Sequence, residues 1–174
     1  GPDGKVHPDK LSINGPLAAG IPGQPAALAH ISQKYGRMPL MQTLLKAISL
    51  ARDGFPVDSR YRQMAEWRQE VLNRYDTSAM VFLANGRIPH IGTRIQQPQL
   101  AETLITLGRI GADGFYRGPV AERMVADVTS AGGLWTLEDL AGYKVVERAP
   151  IRIAYGDYTM WSAPPPSSGG VALA

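Results

Sequence analysis

Through most of the chain, apolar residues recur at steps of three and four, the period of helices with one buried face. Prolines and glycines punctuate that pattern. Pro25 stands at a helix N1 position, and residues 25–35 carry Ala27, Leu28, Ile31 and Tyr35 on one side, with Gly36 placed to end the helix. Pro39 opens a second helix, in which Leu40, Thr43, Leu44, Ala47, Ile48 and Ala51 form the stripe until Gly54 and Pro56 stop it. Residues 59–74 predict a third, with Met64, Trp67, Val71 and Leu72 as its apolar face and charges mostly opposite. Residues 98–110 predict a fourth, with Leu100, Leu104 and Leu107 inward and Gly111 as its stop. Gly118-Pro119 opens a fifth over residues 120–130, closed by Gly132-Gly133. Thr136-Leu137-Glu138-Asp139 is a capping arrangement for a helix of one or two turns ending at Gly142. Between these, Leu17-Ala18-Ala19 reads as a short strand. Asn85-Gly86 reads as a turn after the apolar run of residues 79–84.

After Tyr143 the period changes from helical to alternating. Ile151, Ile153 and Tyr155 alternate with Arg152 and Ala154, Gly156-Asp157 signals a hairpin, and Tyr158, Met160 and Ser162 continue on the return strand. Pro164-Pro165-Pro166 then removes three backbone donors, Ser167 or Ser168 offers an N-cap, and a helix is expected from Val171. Two strands alone are marginal, so the hairpin is expected to complete a sheet made elsewhere. Its apolar face, drawn from Ile151, Ile153, Tyr155, Tyr158 and Met160, is expected to be more exposed than usual. The final helix barely starts, so the chain reads as a piece of a longer protein. The expected fold class is mostly α, with residues 1–143 as a helical domain with an irregular start. Residues 144–174 form a hairpin and the beginning of a helix.

Composition changes this picture little. The 174 residues are 44% hydrophobic and 19% charged, ordinary globular values. No apolar run approaches the roughly 20 residues of a membrane span, and no internal repeat is evident. The net charge is +3 and the sequence pI near 9.3, but the basic residues are scattered singly, so nothing resembles a nucleic-acid arm. There is no cysteine, which excludes disulfides, thiol catalysis and zinc–thiolate sites.

The candidate chemistry is sparse. His7, His30 and His90 have no metal-ligand spacing. Gly20-Ile21-Pro22-Gly23 lacks the Lys-Ser/Thr ending of a phosphate loop, and Pro22 and Pro25 remove amides such a loop would use, so a structural turn is expected. Glu66 and Glu70, one helical turn apart among arginines, read as a solvated face. Trp67, Phe115, Tyr116 and Trp135 are expected in the core. Ser167-Ser168-Gly169-Gly170 is the one stretch with functional potential: hydroxyls, helix-start amides that favour an anion, and glycines that let a backbone approach closely. The alternative is a rigid N-cap junction from strand to helix. No partner base accompanies Ser167 or Ser168, which disfavours a serine nucleophile.

An ordered set of segments resembles a known family. It runs through Gly15-Pro16-Leu17-Ala18-Ala19-Gly20-Ile21-Pro22-Gly23, Tyr35-Gly36-Arg37 and Ala51-Arg52-Asp53-Gly54-Phe55-Pro56-Val57. It continues through Leu100-Ala101-Glu102-Thr103-Leu104, residues 111–118, Gly132-Gly133-Leu134 and Thr136-Leu137-Glu138-Asp139-Leu140. It closes with Pro150, Tyr155-Gly156-Asp157-Tyr158 and residues 164–170. Each piece is weak alone; in this order and spacing they resemble the large subunit of gamma-glutamyltransferases.

The resemblance implies an N-terminal-nucleophile hydrolase made as a self-cleaving precursor, whose αββα sandwich the hairpin would join. It implies that a new N-terminal threonine of the small subunit attacks a gamma-glutamyl amide, with its own α-amine as base. The resulting acyl-enzyme passes to water or an amino acid. It further implies that the nucleophile lies after Ser168 and the arginine gripping the substrate α-carboxylate before Gly1. This chain would then hold no catalytic residue, with Ser167 and Ser168 at most beside the site. Glutathione and related compounds would be the substrates, the small subunit the partner, and no metal or organic cofactor would be needed. The location would be periplasmic, secreted or cell-surface. A cephalosporin or glutaryl acylase of the same superfamily is one alternative. A noncatalytic domain serving folding and subunit contact is another.

Overall fold

A computed structural model of the protein describes residues 13–173, and the described chain divides between Tyr143 and Lys144 into two compact units. His7 and the turn signals Asp3-Gly4 and Pro8-Asp9 lie outside the described residues.

The first unit is helical. The expected strand at Leu17 is instead a 3₁₀ turn over Pro16–Ala18. Gly15 at φ 95° turns the chain into it and Pro16 occupies its first position, so local turn geometry overrides a three-residue apolar run. Helix α1 follows (Gln24–Tyr35), and Gly36 ends it in an extended conformation, its N–H donating to Ser32 O. Of the apolar side expected for α1, Ile31 and Tyr35 are exposed, and Ala26 is its buried residue.

Helices α2 (Leu40–Asp53) and α5 (Pro98–Ile110) pack along one another and form the main core. Leu44, Ile48 and Ala51 of α2 are buried, as are Ala101 and Leu107 of α5. Their stripes are narrower than expected, since Thr43, Ala47 and Leu100 face solvent. Gly54 (φ 83°) and Gly111 (φ 79°) adopt the left-handed region that ends each helix sharply.

Between α2 and α5 the chain makes a long excursion. It leaves through the two-residue strand β1 (Phe55–Pro56) and returns through β2 (Arg94–Ile95), which pair antiparallel. The excursion holds α3 (Ser59–Asn73) and α4 (Asp76–Phe82). Asp58 caps α3 by accepting from Tyr61 N–H at 2.7 Å. The expected apolar face of α3 is corrected: Met64 is 44% and Trp67 78% exposed, and only Ala65 is buried. The run at residues 79–84 belongs largely to α4, and the following turn places both Asn85 (φ 51°) and Gly86 (φ 73°) at positive φ.

The short helix α6 (Asp113–Tyr116), absent from the periodicity, buries Phe115 and Tyr116. It leads into α7 (Gly118–Ser130), and α8 (Leu137–Ala141) follows behind the expected capping box of Thr136 and Asp139. Leu140 is fully buried, and Trp135, half-buried, donates its indole N–H to Ala19 O at 3.0 Å.

The second unit is the hairpin of β3 (Ile151–Tyr155) and β4 (Tyr158–Ser162), followed by α9 (Ser168–Leu173). The register pairs Ile151 with Ser162, Ile153 with Met160 and Tyr155 with Tyr158. Of the five apolar residues expected to be accessible, Tyr155 (70%) and Tyr158 (75%) are, Ile151 and Met160 are half-buried, and Ile153 is buried.

Candidate functional site

The stretch with functional potential begins where β4 ends. Ser167 N–H donates to Pro164 O at 3.1 Å, which closes a turn before α9 starts; the Pro165–Pro166 peptide is cis. Gly170 is buried in the crook of this turn. A Cβ placed there would lie 2.6 Å from Ala163 O and 3.0 Å from both Ile151 Cδ1 and Ser162 Oγ. Only glycine lets α9 lie this close to the hairpin. Gly169, by contrast, faces open space.

Ser167 and Ser168 are both exposed. No histidine, lysine or carboxylate is hydrogen-bonded to either hydroxyl among the described residues, so the geometry assembles no activated nucleophile. Helix α9 is too short for its N-terminus to be read as an anion site.

The other candidates separate in the same way. Glu66 pairs with Arg62 at 3.5 Å and Glu70 with Arg74 at 3.2 Å, exposed pairs worth a few tenths of a kcal/mol each. His30 is half-buried and His90 exposed, and among the described residues no acid–histidine group could hold a metal ion. The turn at residues 20–23 is structural: Tyr116 Oη donates to Pro22 O, and the Tyr143 hydroxyl fills the space a Cβ of Gly23 would need.

Three side chains have shifted acidities. Asp53 is held below the usual carboxylate range, first by the hydrogen bond from Ser49 and then by Arg52. Burial pushes the phenols of Tyr61 and Tyr116 up. None of these faces a second titratable group in a way that would form an acid–base pair. A feature the periodicity concealed lies on α3: a groove of about 510 Å³ over Met64 and Ala65, flanked by Arg60 and Arg68. Its sign in the sequence is that Arg60 and Arg68 stand four residues either side of Met64 and so share its side of the helix, which a fully buried face would not tolerate.

A mostly helical body followed by a hairpin is the fold of the large-subunit part of an N-terminal-nucleophile hydrolase. The sequence profile of the gamma-glutamyltranspeptidase family matches residues 2–174, and the chain belongs to that family. It is 40% identical to the glutathione hydrolase proenzyme of Escherichia coli (strain K12) over 173 residues, 98% of this chain and 30% of that protein. The crystal structure of Helicobacter pylori gamma-glutamyltranspeptidase superposes with a TM-score of 0.93 at 38% identity, over 98% of this chain and 49% of that one. The cephalosporin acylase of Bacillus halodurans superposes less well, with a TM-score of 0.74 at 30% identity over 86% of this chain and 30% of that one. The chain thus spans under a third of its Escherichia coli relative and about half of the Helicobacter pylori chain. No described helix is long and apolar enough to cross a membrane.

Proposed function

We propose that the protein containing this chain cleaves gamma-glutamyl amides, glutathione among them, and passes the acyl group to water or an amino acid. The observation that carries this reading is the superposition on Helicobacter pylori gamma-glutamyltranspeptidase along nearly the whole chain, together with 38% identity. The acylase alternative is weaker on the same measure, since that fold departs further and less of it is matched.

In this reading the chain contributes architecture rather than reacting atoms. The α2–α5 core and its satellites form the scaffold, and the hairpin with α9 enters the catalytic sandwich. Ser167 and Ser168 lie beside the site without taking a chemical step. The accessible Tyr155 and Tyr158 mark where the small subunit of the same precursor packs. The nucleophile is a threonine freed at that subunit's N-terminus, and the enzyme works outside the cytoplasm without a metal or organic cofactor.

The test uses the full-length precursor and this chain alone. The processed full-length protein is expected to release the chromophore from a gamma-glutamyl anilide and glutamate from glutathione. The isolated chain is expected to do neither, because an acyl-enzyme requires a positioned nucleophile. Preference of the full-length protein for a glutaryl amide of a cephalosporin nucleus would replace the main reading with the acylase. Turnover by this chain alone, abolished by a substitution within it, would refute the division of roles.

A further inference from the structure

The groove on α3 lies in the first unit and is independent of the catalytic reading. Phe55, Met64, Ala65, Leu72 and Phe82 line it, and its volume of about 510 Å³ suits several side chains of a partner. Its floor is almost wholly apolar, although it opens to solvent. Burying such a surface releases water that gains nothing by contact with it.

The charges around it are not balanced. Arg60 and Arg68 flank the groove, and neither lies within ion-pair distance of a carboxylate among the described residues. Arg62 on α3 and Arg74, just past its end, each pair with a glutamate of that helix. Asp58, the groove's own acid, is engaged as the cap of α3. Arg68 is also held in place: Nη2 donates to Asn14 Oδ1 at 2.6 Å, and the guanidinium lies 5.9 Å from the Trp67 ring centroid. The fold therefore fixes a cation at the edge of an apolar floor. Arginine beside an apolar pocket is among the residues that dominate protein–protein recognition.

We propose that this groove docks an acidic protein segment, whose apolar side chains fill the floor while its carboxylates meet Arg60 and Arg68. A second copy of this chain fits poorly, because face-to-face docking of two such grooves would bring their arginines together.

The experiment selects a displayed library of random peptides on the full-length protein. Selected sequences are expected to combine aromatic or aliphatic anchors with Asp or Glu. A synthetic peptide from the selection should lose at least about tenfold in affinity on Met64→Glu, as expected for an anchor site. Arg60→Gln with Arg68→Gln should weaken binding and flatten its dependence on salt. Unchanged circular dichroism and gamma-glutamyl turnover would show that each variant is folded. The proposal is overturned if Met64→Glu binds as well as the parent or if the peptides carry no acidic bias. Self-association that Met64→Glu abolishes would also overturn it, as would binding of dodecanoate in the groove with no peptide selected there. Met64 in the full-length protein should oxidise with peroxide at the rate of an accessible methionine; protection would mean that the protein covers its own groove, and the proposal would fall.

Discussion

The rings of Tyr116 and Tyr143 lie parallel, 3° apart in tilt with centroids separated by 5.5 Å. From this stack the Tyr116 hydroxyl donates to Pro22 O and accepts the Ala26 N–H at 3.2 Å. One phenol thus ties α6 to the first turn of α1, across 90 residues of sequence. Tyr116→Phe would keep the ring and the stack but leave a carbonyl and an amide without their partner. The expected loss is about 1–3 kcal/mol, the desolvation penalty of unsatisfied buried groups. Urea unfolding of the chain measures it; a midpoint equal to the parent's would show that water replaces the hydroxyl.

Alkaline pH should act through the same residue. Burial holds the phenols of Tyr116 and Tyr61 above their ordinary value of 10.0; for Tyr116 the neighbouring Tyr143 adds to this and the Ala26 amide opposes it. A folded-state value above the unfolded one means that stability is complete below pH 10.0 and falls as pH rises through the folded value. The melting temperature should therefore decline above that pH. The decline should be shallower in Tyr61→Phe with Tyr116→Phe, and parallel curves would disprove the coupling.

Leu44 and Leu45 are neighbours on α2 with opposite fates, 7% and 54% exposed. Leu44→Ala should cost about 2–5 kcal/mol, the range for opening a cavity in a packed core. Leu45→Ala should stay within about 0.5 kcal/mol of the parent. Equal effects in denaturant titrations would mean that α2 does not present this face to α5.

Gly169 and Gly170 offer a similar contrast. Gly170→Ala would force a methyl to within 2.6 Å of Ala163 O, a backbone atom that cannot rotate away. The expected destabilisation is about 1–3 kcal/mol, as for overpacking. Gly169→Ala meets nothing within 4 Å and replaces a poor helix former, so it should be neutral or stabilising by up to about 1 kcal/mol. Hydrogen exchange at the β3–β4 ladder reports both; equal protection in the two variants would count against the close approach of α9.

How legible this fold was in the sequence follows from what each element depends on. Helices bounded by Pro25, Pro39, Pro98 and Pro119 were evident because a residue that fixes φ or lacks an N–H marks a start. Gly54 and Gly111 marked stops in the same way. The hairpin was readable because β3 and β4 alternate on either side of Gly156-Asp157. Strands β1 and β2 were not, since two residues carry no period and their pairing joins Phe55 to Ile95. The 3₁₀ turn at Pro16 was missed because its apolar residues suit a strand equally well. On α3 the pattern predicted a buried face, whereas tertiary packing buries only Ala65 and leaves Val71 and Leu72 half-buried. Ser167 and Ser168 stood out chemically, but their exposure and lack of a partner base could be seen only in three dimensions.

The pairing of β1 with β2 has a consequence for how this protein can vary. Phe55 sits opposite Ile95, Val57 N–H donates to Thr93 O at 2.8 Å, and Gly92 N–H donates to Val57 O at 2.8 Å. The stem of the excursion is therefore stitched shut beside the α2–α5 pair. A segment whose ends are pinned together behaves like a bracelet charm: it can be lengthened, shortened or recomposed while its clasp stays where it is. Relatives of this chain are free to carry different lobes at this place on an unaltered frame, and new surface features can arise there without disturbing the α2–α5 core.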